Sequence, residues 1–293
     1  MKIKHRFAFN TKRNNIRLFL DKHGIKYKAM HDYSIFYLYD DNDVFDLIND
    51  FMISNNETSI ATPIYTKKEL ESAQWLTIKS GWNSLYPQPI NQPSYIYTTY
   101  DMTNYCGGNP NLYNEKIGEW YREHDLPFYL CEKGLVQKDG FVLKKEPNWG
   151  SRGFTMLFWV TDELFISPKT EEVLNNNLRG IVYFPVYNKS KKMFDNVKQI
   201  YINNYVDKGL CIDSIERIYT CPICGFIKYW PKIGPIRFRK EIFENIDVDI
   251  VKTTDKFWER ECDSLILVTN KFYKTIINAK LDRGLFFEPI ELI

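Results

Sequence analysis

The sequence predicts an α+β protein: an N-terminal ferredoxin-like β-α-β-β-α-β unit followed by a larger C-terminal α+β domain. Three observations carry that prediction. Residues 1–66 order strand-like and helix-like segments as β-α-β-β-α-β. Two later stretches, Leu164 to Val186 and Leu265 to Ile290, repeat one pattern of strand, helix, strand and Pro stop. Between the copies lies Cys221-Pro222-Ile223-Cys224-Gly225, a Cys knuckle with the spacing of half a metal site.

In the first unit, Ile3, His5, Phe7 and Phe9 alternate with Lys2, Lys4, Arg6 and Ala8, the period of a half-buried strand. Thr11 is placed to cap a helix carrying Ile16, Phe19, Leu20 and His23 on one face, and Gly24 suits its C′ position. Ile25 to Met30 and Ser34 to Tyr39 read as strands. Asn42 or Asp43 opens a second helix with Val44, Leu47, Ile48, Phe51 and Met52 at helical spacing. Ser59 to Tyr65 closes the unit as a last strand, with Pro63 tolerable on an edge. That order fits a ferredoxin-like sandwich. His5 and His23 fall on apolar faces, as satisfied boundary residues do. Asp40-Asp41-Asn42-Asp43 reads as a solvated turn leading into a helix.

Residues 67–124 are expected to be a connector, with a short helix at Lys67 to Ala73, Pro87, Pro89 and Pro93 marking an extended link, and a tight turn at Cys106-Gly107-Gly108-Asn109-Pro110. The C-terminal domain then covers residues 125–293. Phe141-Val142-Leu143 reads as a strand, and the apolar run Phe154 to Val160 as a strand buried on both faces. In the first copy Ser167 is a good N-cap with Pro168 at N1, and Val173, Leu174 and Leu178 supply the apolar side of the helix. In the second, Thr269 caps a helix carrying Phe272, Ile276, Ile277 and Leu281. Units of this length place their two strands parallel. The shared order of Leu, Gly, aromatic and Pro marks a duplication.

Composition narrows the function classes. The chain has 39 Lys+Arg against 37 Asp+Glu, a net charge of +2, so global charge nominates no polyanion partner. The 20 Tyr, 20 Phe and 7 Trp suit both a Phe/Tyr-rich core and interface contacts. The N-terminus lacks a secretory apolar run, and no stretch approaches the roughly 20 apolar residues of a membrane span. Six irregularly spaced cysteines do not form a disulfide framework, so the expected location is the reducing cytoplasm.

Two thiolates on a tight turn can face one ion, and Gly225 lets the backbone fold beneath it. A structural zinc needs four ligands, and no second Cys-x-x-Cys exists. The remaining cysteines are Cys106, Cys131, Cys211 and Cys262, and the only His after residue 31 is His124. At this level a bound zinc and a pair of ordinary thiols both fit. For an enzyme the chain lacks a Gly-x-Ser-x-Gly elbow, a Gly-rich phosphate loop and a His-Glu-x-x-His helix, so a non-catalytic protein is expected. A nucleic-acid reading rests on Lys228-Tyr229-Trp230-Pro231-Lys232 and Arg237-Phe238-Arg239-Lys240, which Glu241, Glu244, Asp247 and Asp249 dilute. The N-terminal unit has the strand order of an RNA-recognition fold, but Ser34 to Tyr39 lacks the Lys/Arg-Gly-aromatic signature.

Gly134-Leu135-Val136-Gln137, then Phe141 to Gly150, then Leu157-Phe158-Trp159-Val160 with Asp162-Glu163-Leu164-Phe165, resembles the bacterial double-CXXCG motif proteins. The knuckle Cys221 to Gly225 and the terminal Leu285-Phe286-Phe287-Glu288-Pro289 agree. Glu163 to Val186 is also similar to a related group of immunity proteins that guard against polymorphic toxins. The resemblance covers roughly residues 125–293 and departs at one place. Where those proteins carry a first Cys-x-x-Cys-Gly, this chain reads Phe128-Tyr129-Leu130-Cys131-Glu132 and keeps Cys131 alone. The implied metal set is therefore Cys131, Cys221 and Cys224, with Cys106 or His124 as a fourth ligand to one structural zinc; loss of the metal fits the resemblance equally. The implied function is that of a cytoplasmic protein that neutralises a cognate toxin by direct binding. Asp40 to Asp46, Trp149 and Trp230 are candidate contact residues. The alternative is a zinc-knuckle protein with a nucleic-acid-binding or regulatory role.

Overall fold

In a computed structural model of the chain, alternation along residues 2–10 produces the first strand, β1 (Lys2–Asn10), which buries Phe7 and Phe9. The structure describes residues 1–90, 94–101, 103–104, 106, 131, 133–221, 224–258 and 262–293. The fold is α+β and divides into two units, Met1–Glu69 and Leu70–Ile293. Among the described residues no helix is long and apolar enough to cross a membrane.

In the first unit β1 is followed by α1 (Asn14–Lys22), β2 (Lys28–Ala29), β3 (Tyr33–Tyr39), α2 (Phe45–Ser54) and β4 (Ser59–Ile64). The sheet order is β2-β3-β1-β4, and every neighbouring pair is antiparallel. Two split β-α-β units are thereby interleaved: β1 and β2 flank β3, and β3 and β4 flank β1. Ile16 and Leu20 of α1 and Ile48 and Met52 of α2 bury against Phe7, Phe9, Phe36 and Leu38 of the sheet.

Several boundaries differ from expectation. Thr11 does not cap α1; its hydroxyl donates to the His31 carbonyl, and the N-cap, Arg13, makes no side-chain cap bond. At the other end Gly24, at φ +70°, closes a Schellman turn in which the Ile25 N–H reaches the Leu20 carbonyl at 2.9 Å. That bond takes Ile25 out of the expected strand, leaving only Lys28 and Ala29 paired. Asn42 accepts from the Val44 N–H at 3.1 Å in a turn ahead of α2. Asp40 accepts from the Ile3 N–H and Asp41 pairs with Lys2, so this acidic run is a solvated turn. His5 lies 2.9 Å from the Ser59 hydroxyl and against the Phe45 ring.

After α3 (Lys67–Ser72), which contains the boundary between the units, the second unit follows in chain order as β5 (Trp75–Ser80), β6 (Asn83–Leu85), α4 (Ser94–Thr99), β7 (Tyr100–Asp101), β8 (Val136–Gln137), β9 (Phe154–Leu157), β10 (Val160–Ile166), α5 (Pro168–Asn177), β11 (Val182–Tyr187), β12 (Met193–Tyr201), β13 (Tyr205–Val206), β14 (Ile215–Thr220), β15 (Ile227–Pro231), β16 (Arg237–Phe238), β17 (Ile250–Phe257), β18 (Asp263–Thr269), α6 (Asn270–Asn278), β19 (Leu285–Pro289) and β20 (Glu291–Leu292). The larger sheet is ordered β14-β15-β17-β18-β5-β19, with β13 beside β17; the smaller is β11-β12-β10-β9-β6.

The expected connector is corrected by β5. Residues 75–80 lie between β18 and β19, and Leu76 and Ile78 enter the main core. The Pro cluster that suggested a loose link begins only afterwards, at Pro87. Most of residues 102–124 lie outside the described residues.

Both repeats form strand–helix–strand units. In the first, β12 stands between β10 and β11 and is antiparallel to each; in the second, β5 stands between β18 and β19 in the same way. The paired strands within each copy are therefore parallel but not adjacent. Each copy is preceded by an antiparallel strand, β9 or β17, giving matching orders β11-β12-β10-β9 and β19-β5-β18-β17. Ser167 accepts from the Thr170 N–H and Thr269 from the Phe272 N–H, so both N-caps act as expected. Trp159 and Trp258 precede the two copies at φ +69° and +73°. Trp159 divides the apolar run from Phe154 to Val160 into the end of β9 and the start of β10. Leu164, Ile166 and Leu174 of one copy and Ile266, Val268, Phe272 and Ile276 of the other share a single core. Within the expected strand Phe141 to Leu143, only Val142 and Leu143 pair, as isolated bridges.

Candidate metal centre

The knuckle is the tip of the β14–β15 hairpin. The Cys221 N–H donates to the Phe226 carbonyl at 2.7 Å, and the Gly225 N–H donates back to the Cys221 carbonyl at 2.9 Å. Gly225 holds φ +70°, a backbone that side chains disfavour, and this reversal turns both sulfurs to one side. The other half of the site is anchored by the Cys106 N–H, which donates to the Lys133 carbonyl at 3.0 Å close to Cys131.

The Sγ atoms of Cys106, Cys131, Cys221 and Cys224 all lie within 4.8 Å of one another. Cys106 stands 3.8 Å from Cys221, and Cys131 stands 3.6 Å from Cys224. A metal–sulfur bond of about 2.3 Å puts the corners of a tetrahedral four-thiolate site about 3.8 Å apart. The two cross-pairs match that edge, so the four thiols can hold one metal ion. Burial pushes the Cys106 thiol up to about 12, helped by hydrogen bonds to Cys224 and Cys221, and burial raises Cys131 as well. Burial also opposes ionisation of Cys224, but hydrogen bonds from Cys106 and the Phe226 backbone outweigh it and lower its pKa. Crowded sulfurs of this kind are held apart by protons or joined by a cation, which displaces those protons.

Every sulfur proposed from sequence as a ligand enters the cluster, with Cys106 in the fourth place. His124 lies outside the described residues. Cys211 makes a local contact with the Gly209 carbonyl, and none of the six cysteines forms a disulfide.

Beside the cluster is a cavity of about 550 Å³. Lys133 to Gln137 and Phe226, which neighbour the ligands in sequence, form part of its wall; Asp162 and Glu163 of β10 and Lys252 and Lys256 of β17 form another. Lys252, 6% exposed in its side chain, pairs with Glu163 and lies 3.8 Å from Asp162; Lys256 lies 3.5 Å from Asp162. Two further donors approach these carboxylates. Gln199 donates to Glu163 at 2.9 Å, and the Ser264 N–H donates to Asp162 at 3.2 Å. Burial works against every charge here, but Lys252 and Lys256 hold Asp162 below its usual range, and Asp162 and Glu163 hold Lys252 above its own. Glu163 is pushed up, by burial first and then by the neighbouring Asp162 charge. These groups satisfy one another across the two copies. Sequence reading missed this network, whose one signal is a lysine within the apolar start of β17.

The basic segment after the knuckle is used internally. Lys228 is buried, Lys232 donates to the Asp213 carbonyl, Arg237 pairs with Asp213 and Glu291, and Arg239 donates to the Lys208 carbonyl. Trp149 is half-buried with its indole N–H on the Asn196 carbonyl, and Trp230 packs edge-on against Trp258. No family model matches this chain, and no curated protein or solved structure matches it.

Proposed function

We propose that this chain is a non-catalytic protein-binding protein that neutralises a cognate bacterial toxin by direct contact in the cytoplasm. Its C-terminal half would be a duplicated scaffold stapled by one structural zinc on Cys106, Cys131, Cys221 and Cys224. The observation that carries this reading is the closed donor set. Catalytic zinc sites keep a coordination position open for water or substrate, whereas four sulfurs around one ion leave none. The zinc would supply cross-linking: it ties the knuckle to the segment bearing Cys106 and Cys131 and so fixes the walls that continue from both.

The charged groups lining the adjacent cavity support the same reading. A general base needs an acceptor free to take a proton. Glu163 instead has both oxygens engaged, by Lys252 and Gln199, while Lys252, Lys256 and the Ser264 N–H share one oxygen of Asp162. The resemblance of residues 125–293 to double-CXXCG and immunity proteins points to a toxin as the partner. Occlusion of a toxin needs complementary shape and charge rather than reacting groups. The test is co-expression with a toxic domain, sought first among the products of neighbouring genes. Restored growth together with a co-purifying complex is the expected result; continued toxicity with no complex, or turnover of a substrate by the purified chain, overturns the proposal.

A further inference from the structure

The first unit covers one face of its sheet with two helices, and its other face has a distinct chemistry. Tyr33, Tyr37 and Tyr39 alternate outward along β3 and are 41%, 50% and 41% exposed. In register beside them, Lys4 of β1 opposes Tyr39 and Arg6 opposes Tyr37, while Lys28 of β2 opposes the outward Ile35. The Lys4 ammonium sits 4.3 Å from the centre of the Tyr37 ring. No Asp or Glu occurs in any of the four strands, although the chain carries 37 acidic residues. Among the described residues Lys4, Arg6 and Lys28 form no ion pair. The result is a sheet face whose strands carry no acid, with tyrosines on β3 and cations on the strands to either side; Asp41, in the turn after β3, pairs with Lys2 at one end.

We propose that this face binds single-stranded RNA. Outward side chains two residues apart on one strand are about 7 Å apart, so Tyr37 and Tyr39 can each meet an unstacked base, with Ile35 between them and Tyr33. The flanking cations suit phosphates, and phenol hydroxyls can bond to ribose 2′-OH groups. The face does this without the Lys/Arg-Gly-aromatic sequence of RNA-recognition strands, so shape and stacking carry the contact rather than base identity. The proposal rests on the first unit alone and is independent of the toxin-binding reading.

The test is fluorescence anisotropy of the full chain with a labelled mixed-sequence 12-nucleotide single-stranded RNA at low and moderate salt. Binding that weakens with salt, drops roughly tenfold or more in Tyr37→Ala and in Arg6→Glu, and is unchanged in Lys22→Glu on the helix side is the expected result. Tyr37 and Lys22 are exposed and Arg6 is half-buried, and circular dichroism melts establish that the variants fold. No binding at low salt overturns the proposal, as does affinity indifferent to Tyr37 and Arg6. Single-stranded DNA bound as tightly as RNA overturns it too, because the ribose 2′-OH would then contribute nothing, and so does polyglutamate bound as tightly, because simple charge would then account for the contact.

Discussion

Asp255 in β17 shows how a single half-buried carboxyl sets a pH dependence. Burial, aided by the charge of Asp207, raises it from 3.8 to about 6. Folding therefore favours its protonated form. Below about pH 4 both states hold the proton and the group is neutral to stability; between about 4 and 6 stability falls, and above 6 the full penalty applies. Asp255→Asn is expected to raise the thermal midpoint at pH 7.5 and to leave it unchanged at pH 3.5, as measured by melts at the two values; a gain only in acid contradicts the assignment. Residue-scale reading of the sequence reached Cys221 and Cys224 because three residues separate them on one turn. Cys106 and Cys131 approach the knuckle across 115 and 93 positions, and no local period encodes such a meeting. The Lys252 network was invisible for the same reason: its carboxylates lie on the opposite copy.

At the scale of elements, local chemistry was legible wherever the partner lay within a few residues. Ser167 and Thr269 cap their helices because each side chain reaches an N–H three residues on. Thr11 failed as a cap because its hydroxyl found the His31 carbonyl, a tertiary contact. Helix ends were legible at Gly24 but not at Asn56 or Lys280, which adopt φ +59° and +55° without a glycine in the same local turn, the Glu57 N–H reaching the Met52 carbonyl and the Leu281 N–H the Ile276 carbonyl. Strand β5 was missed because its partners lie near residues 267 and 287, and nearby prolines dominated the local reading. The caps give a quantitative expectation. Ser167→Ala costs about 1 kcal/mol. Thr269→Ala costs more, because Thr269 also donates to the buried Asp249 at 2.7 Å. Chemical denaturation of the two variants and of Thr269→Ser, which keeps the hydroxyl, checks the order; equal losses in Thr269→Ala and Thr269→Ser contradict the hydroxyl's role.

At the scale of the whole chain, each unit follows the same split β-α-β logic: a strand is inserted antiparallel between two parallel ones. In the second unit this happens twice, and the two copies meet in one core. There the Lys252 network adds ion pairs to the hydrophobic packing, and a metal held by the four cysteines would add a cross-link. The central claim is that the cysteines form one closed metal site that staples this scaffold. Native mass spectrometry with elemental analysis of the purified chain tests it most directly, comparing the wild type with Cys224→Ser and Cys211→Ser. One zinc per chain is expected in the wild type and in Cys211→Ser, and none in Cys224→Ser, with a lower melting temperature in that variant. A wild-type chain purified without metal, or one zinc retained in Cys224→Ser, would contradict it.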